Sequence, residues 1–375
     1  MAGLYFHIPF CKQACHYCDF YFSTQLGHQQ VLVDALCAEL ELQKKYLAEE
    51  PIETIYFGGG TPSLLSEKEL SGLLAAVHKI FTVSPGAEIT LEANPDDLTE
   101  EKLWGLKKVG INRLSIGIQS FDDGILKFLN RAHSSLEASR CVDLSRKVGF
   151  DNISIDLIYA IPGQDHNLLK KNIEKAITIS PAHLSAYSLT IEEKTVFGRW
   201  QKKGKLIGAT DDVAATQMEM MMDLLGNAGY EQYEISNFCK PGFYSNHNSS
   251  YWQQKKYLGI GPSAHSYNGH SRQHNISNNV LYIQSVQRGT VPFQSELLSR
   301  ANQINEYLLT TLRTKWGCSV DYLRTQFGFD LLVEQQKEIE AFMNHELIEL
   351  KENSLILTRK GKLLADKIAA DLFVE

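Results

Sequence analysis

No stretch of this 375-residue chain approaches the roughly 20 consecutive apolar residues that a membrane-spanning helix needs. The first residues show no basic segment followed by a long apolar one, so no secretory leader is expected there. Positive charge is in deficit too: 37 Lys and Arg against 44 Asp and Glu leave a net charge of −7. A field of that sign repels nucleic acid and anionic membrane rather than attracting them. Cysteine is scarce and odd in number, seven in all, which speaks against a disulfide framework. Together these absences lead to the expectation of a soluble protein in a reducing cytoplasm, with no nucleic-acid partner and no membrane insertion. What remains is an ordinary globular composition, 43% hydrophobic and 22% charged, long enough for one large domain plus an appendage.

Three of the seven cysteines fall together near the start, Cys11, Cys15 and Cys18, spaced C-x3-C-x2-C directly after a short apolar run. Thiolates are the usual ligands of iron–sulfur clusters, and a cubane of four irons normally takes four. Three without an obvious fourth would leave one iron open to a small-molecule ligand. Structural zinc is a second reading, wanting a closed tetrahedral set that His7 or His16 could complete. A third is three thiols packed as small hydrophobes.

Along the chain, β-rich runs alternate with helical patterns. Strands are expected at Leu4, Glu53–Phe57, Glu88–Pro95, Arg113–Gln119, Asn152–Ile158 and His183–Ile191. Helices are expected over Gln29–Lys45, from Ser66 with Glu69 as its capping box, from Thr99 to Lys108, from Asp122 towards Leu129, and over Leu168–Ile179. Strict alternation argues for an α/β fold with parallel strands and helices outside. An open doubly wound sheet and a partial six-unit (β/α) barrel both fit. The Cys loop, the run Gly58-Gly59-Gly60-Thr61-Pro62, Glu92, Gln119 and Asp156 fall at the carboxyl ends of these strands, where sites are built in barrels.

After Lys194 the alternation ends. A helix is expected over Asp211–Gly226, its Met218, Met220, Met221 and Met222 forming core or a cofactor-facing wall. A Tyr-rich strand is expected over Tyr230–Phe238. From about Leu297, three helices, a hairpin turning at Glu352-Asn353-Ser354 and a closing helix suggest a winged-helix-like α+β unit. Between Arg300 and Glu375 ten Lys and Arg face twelve Asp and Glu, so this unit lacks the basic footprint of a DNA reader and suits an interaction or lid role.

The cysteine spacing followed by the glycine triplet resembles the radical S-adenosylmethionine superfamily. That resemblance selects the partial barrel and implies a [4Fe-4S] cluster on Cys11, Cys15 and Cys18. Its open iron would be chelated by S-adenosylmethionine, whose cleavage yields a deoxyadenosyl radical. Gln119-Ser120-Phe121, Arg131-Ala132-His133 and Asp156-Leu157-Ile158-Tyr159 match the coproporphyrinogen-oxidase-like branch. The branch implies cofactor contacts from Tyr5, Tyr17, Gly59, Gly60, Thr61, Glu92, Gln119, Arg131 and Asp156. Tyr233–Phe238, Lys240-Pro241-Gly242, His247-Asn248-Ser249-Ser250-Tyr251-Trp252 and Tyr257–Ser266 resemble the HemW-type heme chaperones across essentially the whole chain. In that family the H-N-x-x-Y-W histidine is associated with heme, which makes His247 the candidate iron ligand, with His265 next in line. The resemblance implies heme as cargo and hemoproteins, respiratory ones among them, as acceptors; a homodimer is compatible with it.

Oxygen-independent coproporphyrinogen III oxidases, the rival reading, carry a fourth cysteine two residues after the third, where this chain has Phe20. They also extend ahead of the first strand. His16 stands where relatives often have Pro, and Ala160 where Gly is frequent. The expected division is a radical SAM barrel over 1–235, a connecting segment with the heme motif over 236–296, and the winged-helix-like unit over 297–375.

Overall fold

The computed structural model describes residues 2–375. Six strands, β1 (Ala2–Ile8), β2 (Ile52–Gly59), β3 (Val83–Ala93), β4 (Arg113–Gln119), β5 (Asn152–Tyr159) and β6 (His183–Ser188), lie side by side in sequence order. Every neighbouring pair is parallel. Each strand alternates: Leu4, Phe6, Ile55, Phe57, Ile89, Leu91, Leu114, Ile116, Ile153, Ile155 and Leu184 enter the main apolar core. A strand's side chains point to opposite faces in turn, so the residues between them line the other face. Those are Tyr5 and His7, Thr54 and Tyr56, Glu88, Thr90 and Glu92, Arg113 and Ser115, Ser154 and Asp156, His183 and Ser185. Hydrogen bonds join them across strands, from the Tyr56 hydroxyl to Glu92 (2.7 Å), Ser115 to Asp156 (3.5 Å) and between Ser154 and His183 (2.7 Å). The barrel is apolar under its helices and polar inside.

Helix starts follow the capping chemistry. Ser66 and Glu69 form a complete capping box ahead of Glu67–Ile80, Ser134 and Glu137 form another ahead of Ser135–Lys147, and Thr99 caps Glu100–Lys108. The first helix, expected to reach Lys45, is Gln29–Leu42; the chain turns after it, with Ala48 and Glu49 at positive φ. In the helix Asp211–Asn227, Met218, Met221 and Met222 are core residues.

The strand expected over Tyr230–Phe238 is instead an antiparallel hairpin, β7 (Glu231–Glu234) and β8 (Asn237–Cys239). The Glu234 carboxylate causes the turn, accepting from the Ser236 N–H (2.9 Å) and the Asn237 amide (2.7 Å). Residues 236–296 also enlarge the sheet. After β8, β9 (Tyr257–Ile260), β10 (His265–Tyr267), β11 (Ser271–Asn275) and β12 (Phe293–Leu297) give a twelve-stranded order β12-β11-β10-β9-β1-β2-β3-β4-β5-β6-β8-β7. β9 pairs parallel with the free edge of β1. Glu39, fully buried on the first helix, fastens this extension. It accepts from the Gly261 N–H (2.8 Å), the Asn275 amide (2.7 Å), the Gln43 amide (3.0 Å) and the Tyr282 hydroxyl. Without those donors a buried carboxylate would cost several kcal/mol.

The C-terminal unit has its own core, built from Ile304, Leu308, Leu312, Leu323, Leu355 and their neighbours. Its three-stranded sheet runs β13-β15-β14, from β13 (Cys318–Ser319), β14 (Ile348–Lys351) and β15 (Ser354–Leu357). Lys351 pairs with Ser354, leaving Glu352 and Asn353 as a two-residue turn. Both have positive φ, as the tightest hairpin turn demands. Ile235 packs against both cores, and Arg313 donates to buried Glu234 at 2.9 and 3.0 Å.

Candidate functional site

The chain leaves β1 as a loop whose neck is closed by Ser23 N–H to Pro9 O (2.8 Å) and Cys11 N–H to Ser23 O (3.1 Å). Cys11, Cys15 and Cys18 lie within it, all partly exposed. Outside contacts pin the loop on two sides. Lys12 pairs with Asp96 (2.9 Å) and Asp97 beyond β3. Gln13, Ala14 and His16 bond to Asn130, Leu129 and Phe128 beyond β4.

Arg131 is the centre of this packing. Its Nη2 donates to the Asn94 side chain and to the Gly117 carbonyl, both at 2.6 Å. Its Nη1 reaches Cys15 Sγ at 3.4 Å and the Tyr17 hydroxyl at 3.5 Å. Thr61 donates to Cys11 Sγ at 3.5 Å and accepts from Asn94. Burial pushes the Cys11 thiol up and the Cys18 thiol to about 12, each raised further by a neighbouring cysteine of the set. No three His, Cys, Asp or Glu side chains among the described residues sit as single-ion ligands. A cubane asks for something different, one thiolate on each of several irons, and the donor set suits it. Of the histidines that could have completed a zinc set, His7 has both nitrogens engaged, by the Tyr21 carbonyl (2.9 Å) and Tyr5 (3.2 Å), and His16, bonded through Nδ1 to the Phe128 carbonyl (3.0 Å), packs its ring edge-on against Trp200.

Beside the cysteines, the glycine run is sterically required. A Cβ on Gly59, at φ +104, would lie 2.6 Å from the His7 ring, and one on Gly60 2.6 Å from the Phe10 carbonyl. Glu92 accepts from the Tyr56 hydroxyl (2.7 Å) and the Gly59 N–H (3.2 Å). Burial first and Asp156 next raise its carboxyl to about 7, against those donors. Burial raises Asp156 to about 6, opposed by the Arg113 charge and by Ser185. Burial, with the Glu92 charge second, raises Tyr5; burial also raises Tyr17. Gln119 ends β4 at φ +66, a region few non-glycine residues occupy. Arg131 Nε is buried with no partner among the described residues. An orphaned guanidinium donor and a cradle that any Cβ would fill are what a zwitterionic ligand at this rim needs.

A model of the Radical SAM superfamily matches residues 5–176, and one of the HemN C-terminal domain matches residues 298–364. The chain is 36% identical over 366 residues to the heme chaperone HemW of Lactococcus lactis, covering 97% of this chain and 95% of that one. It is also 36% identical over 372 residues to the heme chaperone HemW of Bacillus subtilis, covering 98% of each. The chain belongs to the HemW family. The fold agrees with the solved coproporphyrinogen III oxidase HemN of Escherichia coli, described as a radical SAM enzyme, at a TM-score of 0.85 and 21% identity, covering 100% of this chain and 90% of that one.

The H-N-x-x-Y-W block of this HemW family member is not a surface loop. It forms the helix Asn246–Trp252, capped by Ser245 and anchored where Glu88 accepts from the N–H groups of Asn246 (3.0 Å) and His247 (2.9 Å). His247 is 2% exposed. One ring nitrogen lies 2.8 Å from Thr54 Oγ1 and the other 2.8 Å from the Tyr251 hydroxyl, and the ring stacks on Tyr56 at 4.8 Å. Burial, then the Arg113 charge, lowers its pKa to about 3. His247 thus sits inside the barrel at the level of Thr54 and Glu88, beneath Tyr5 and away from the cysteine loop.

Tyr251 instead faces a cavity of about 540 Å3 that opens beside that loop, walled by Phe20, Tyr21, Tyr257, His265 and Tyr267 among others. Phe20, in place of a fourth cysteine, is 72% exposed at its rim. Sequence reasoning missed Asn94, Tyr56, Arg113 and Glu88 as parts of the site. Polar residues at every second position of all six strands were the signal that could have found them.

Proposed function

We propose that this protein binds heme and delivers it to hemoproteins, respiratory ones among them, in the cytoplasm. In this reading Cys11, Cys15 and Cys18 hold a [4Fe-4S] cluster. Tyr5, Tyr17, Gly59, Gly60, Thr61, Glu92, Gln119, Arg131 and Asp156 surround S-adenosylmethionine, Arg131 with its free Nε turned to the carboxylate. When bound and reduced, that pair supplies a deoxyadenosyl radical. The chain's own residues do the rest: Arg131, Asn94 and Thr61 hold the cysteine loop, and Glu92 and Asp156 set the charge beneath the ligand.

The observation that carries the reading is the aromatic cavity beside the cysteine loop, with Phe20 on its rim. Its volume suits a cofactor-sized ligand (roughly 300–1,000 Å3), and its tyrosine rings suit a flat apolar macrocycle. Glu306 and Thr310 of the C-terminal unit also line it, which supports a lid role for residues 297–375. The test is to mix purified protein with heme, and separately with coproporphyrinogen III under reductant and S-adenosylmethionine. Near-stoichiometric heme uptake with a Soret band, and no porphyrinogen turnover, is expected. Robust conversion to protoporphyrinogen IX would make the protein an oxidase.

A further inference from the structure

Three histidines bear on the cavity, and their surroundings differ. His247 lies behind its wall with both nitrogens taken, by Thr54 and Tyr251. A neutral imidazole has one donor and one acceptor, so this ring has nothing left for a metal. His7 lines the cavity, but its nitrogens are engaged by Tyr5 and the Tyr21 carbonyl. His265, at the start of β10, also lines the cavity. Its ring is exposed, neither nitrogen has a hydrogen-bond partner among the described residues, and its one ring contact is His274 across the strand pair, at 5.4 Å.

The rest of the cavity has the chemistry of a planar, anionic, largely apolar ligand. Tyr251 packs edge-on against Tyr257 at 4.6 Å, and Tyr257 lies against Tyr267 at 6.5 Å. Two cations stand at the edge. Lys255 is 3.6 Å from Glu53, a weak pairing. Arg272 is paired with Glu306 at 2.8 Å, yet its Nε is buried without a partner. Asp19 is the remaining charged residue of the lining.

We propose that the iron of bound heme is ligated by His265, with the macrocycle against Tyr251, Tyr257 and Tyr267 and its carboxylates towards Arg272 and Lys255. This rests on the heme-binding reading above. His247 is a positioning residue: it holds the hydroxyl of Tyr251 and so sets the wall against which the ring lies. The H-N-x-x-Y-W block then serves heme through its tyrosine, and its histidine never touches iron.

Hemin and metal-free protoporphyrin IX separate ligation from shape. Both are titrated into wild type, His265→Ala, His247→Gln and His274→Ala, followed by absorbance, porphyrin fluorescence and low-temperature electron paramagnetic resonance. Iron content before hemin is added and circular dichroism serve as controls on cluster and fold. His265→Ala is expected to shift the Soret band and to weaken hemin binding about tenfold or more. It should leave protoporphyrin IX affinity unchanged, and added imidazole should restore the wild-type spectrum. His247→Gln should weaken both ligands in parallel while keeping the wild-type iron spectrum. A wild-type hemin spectrum and affinity in His265→Ala overturns the assignment, as does an imidazole-rescued loss confined to hemin in His247→Gln or in His274→Ala. If wild type takes up neither hemin nor protoporphyrin IX, the heme-binding reading falls, and the ligand assignment with it.

Discussion

His247 Nε2 lies 2.8 Å from the hydroxyl of Tyr251, one helical turn further on. Residues four apart share a helix face, so the spacing of the block is the spacing needed for one side chain to hold the other. With Thr54 on the opposite nitrogen and Tyr56 stacked on the ring, this histidine is a buried polar joint between strand and helix.

His247→Ala should therefore reveal itself in stability. It empties a packed site and strands the buried Thr54 hydroxyl and the half-buried Tyr251 hydroxyl, a loss of about 2–4 kcal/mol. Urea unfolding of the metal-free protein reads this directly. An unchanged midpoint would contradict the joint.

Iron counting distinguishes the cysteines. Cys→Ser at 11, 15 or 18 should abolish cluster reconstitution under anaerobic conditions. Cys239→Ser and Cys318→Ser should retain it, because both thiols are fully buried away from the loop, Cys318 in the core of the C-terminal unit and Cys239 on β8, beyond β6 in the sheet. A Cys239→Ser or Cys318→Ser protein as iron-poor as Cys15→Ser would refute the assignment.

Arg131→Lys keeps the charge and loses the fork. One ammonium cannot serve Asn94, the Gly117 carbonyl, Cys15 and a ligand carboxylate at once. S-adenosylmethionine affinity by calorimetry on reconstituted protein is expected to fall by about 1.5–3 kcal/mol, the scale of a bond to a charged group. Wild-type affinity would remove Arg131 from the site.

Stability should depend on pH through Glu92. Its folded pKa, about 7, exceeds the ordinary 4.5, so the native state binds more protons than the unfolded one between those values. Stability from this group is present below pH 4.5 and is lost as pH rises to about 7. Asp156, raised from 3.8 to about 6, acts in the same direction. Glu92→Gln, unable to ionise, should gain on wild type across that window, by an amount on the order of 3 kcal/mol. Parallel unfolding curves at pH 4.5, 6 and 7.5 check this, and a constant difference would count against it.

The parallel strands and the cysteine and glycine loops were legible because their cues are local: short β-rich runs, a capping box such as Ser66 with Glu69, glycines at a turn. The tight wing at Glu352-Asn353 was legible for the same reason. β9 was not, because what makes Tyr257–Ile260 a strand is an edge of β1 some 250 residues away in sequence. The polar barrel interior lay in plain view in the alternation, yet Arg113 and Glu88 carry no local cue beyond their place in a strand. Ala160, which departs from a frequent Gly, sits at φ +55, so the departure marks a backbone constraint that the sequence states only by comparison. His247 illustrates a general hazard. Its aromatic neighbours stand beside it in the sequence, whereas its hydrogen bonds to Thr54 and Tyr251 and its burial are seen only in the fold.

The pairing of β1 with β9 has a consequence for biosynthesis. β1 and the cysteine loop leave the ribosome well before β9, so one edge of β1 finds its partner only when residues 257–260 have followed. At about 5–20 residues per second, that interval is roughly 12–50 s. Throughout it the nascent chain offers an unpaired strand beside three open thiols, and long-range pairing of this kind is slow even once the chain is complete. Protection of that strand edge is therefore a task for the period of translation itself, and truncations short of residue 260 are expected to be captured by chaperones rather than to accumulate as folded barrels.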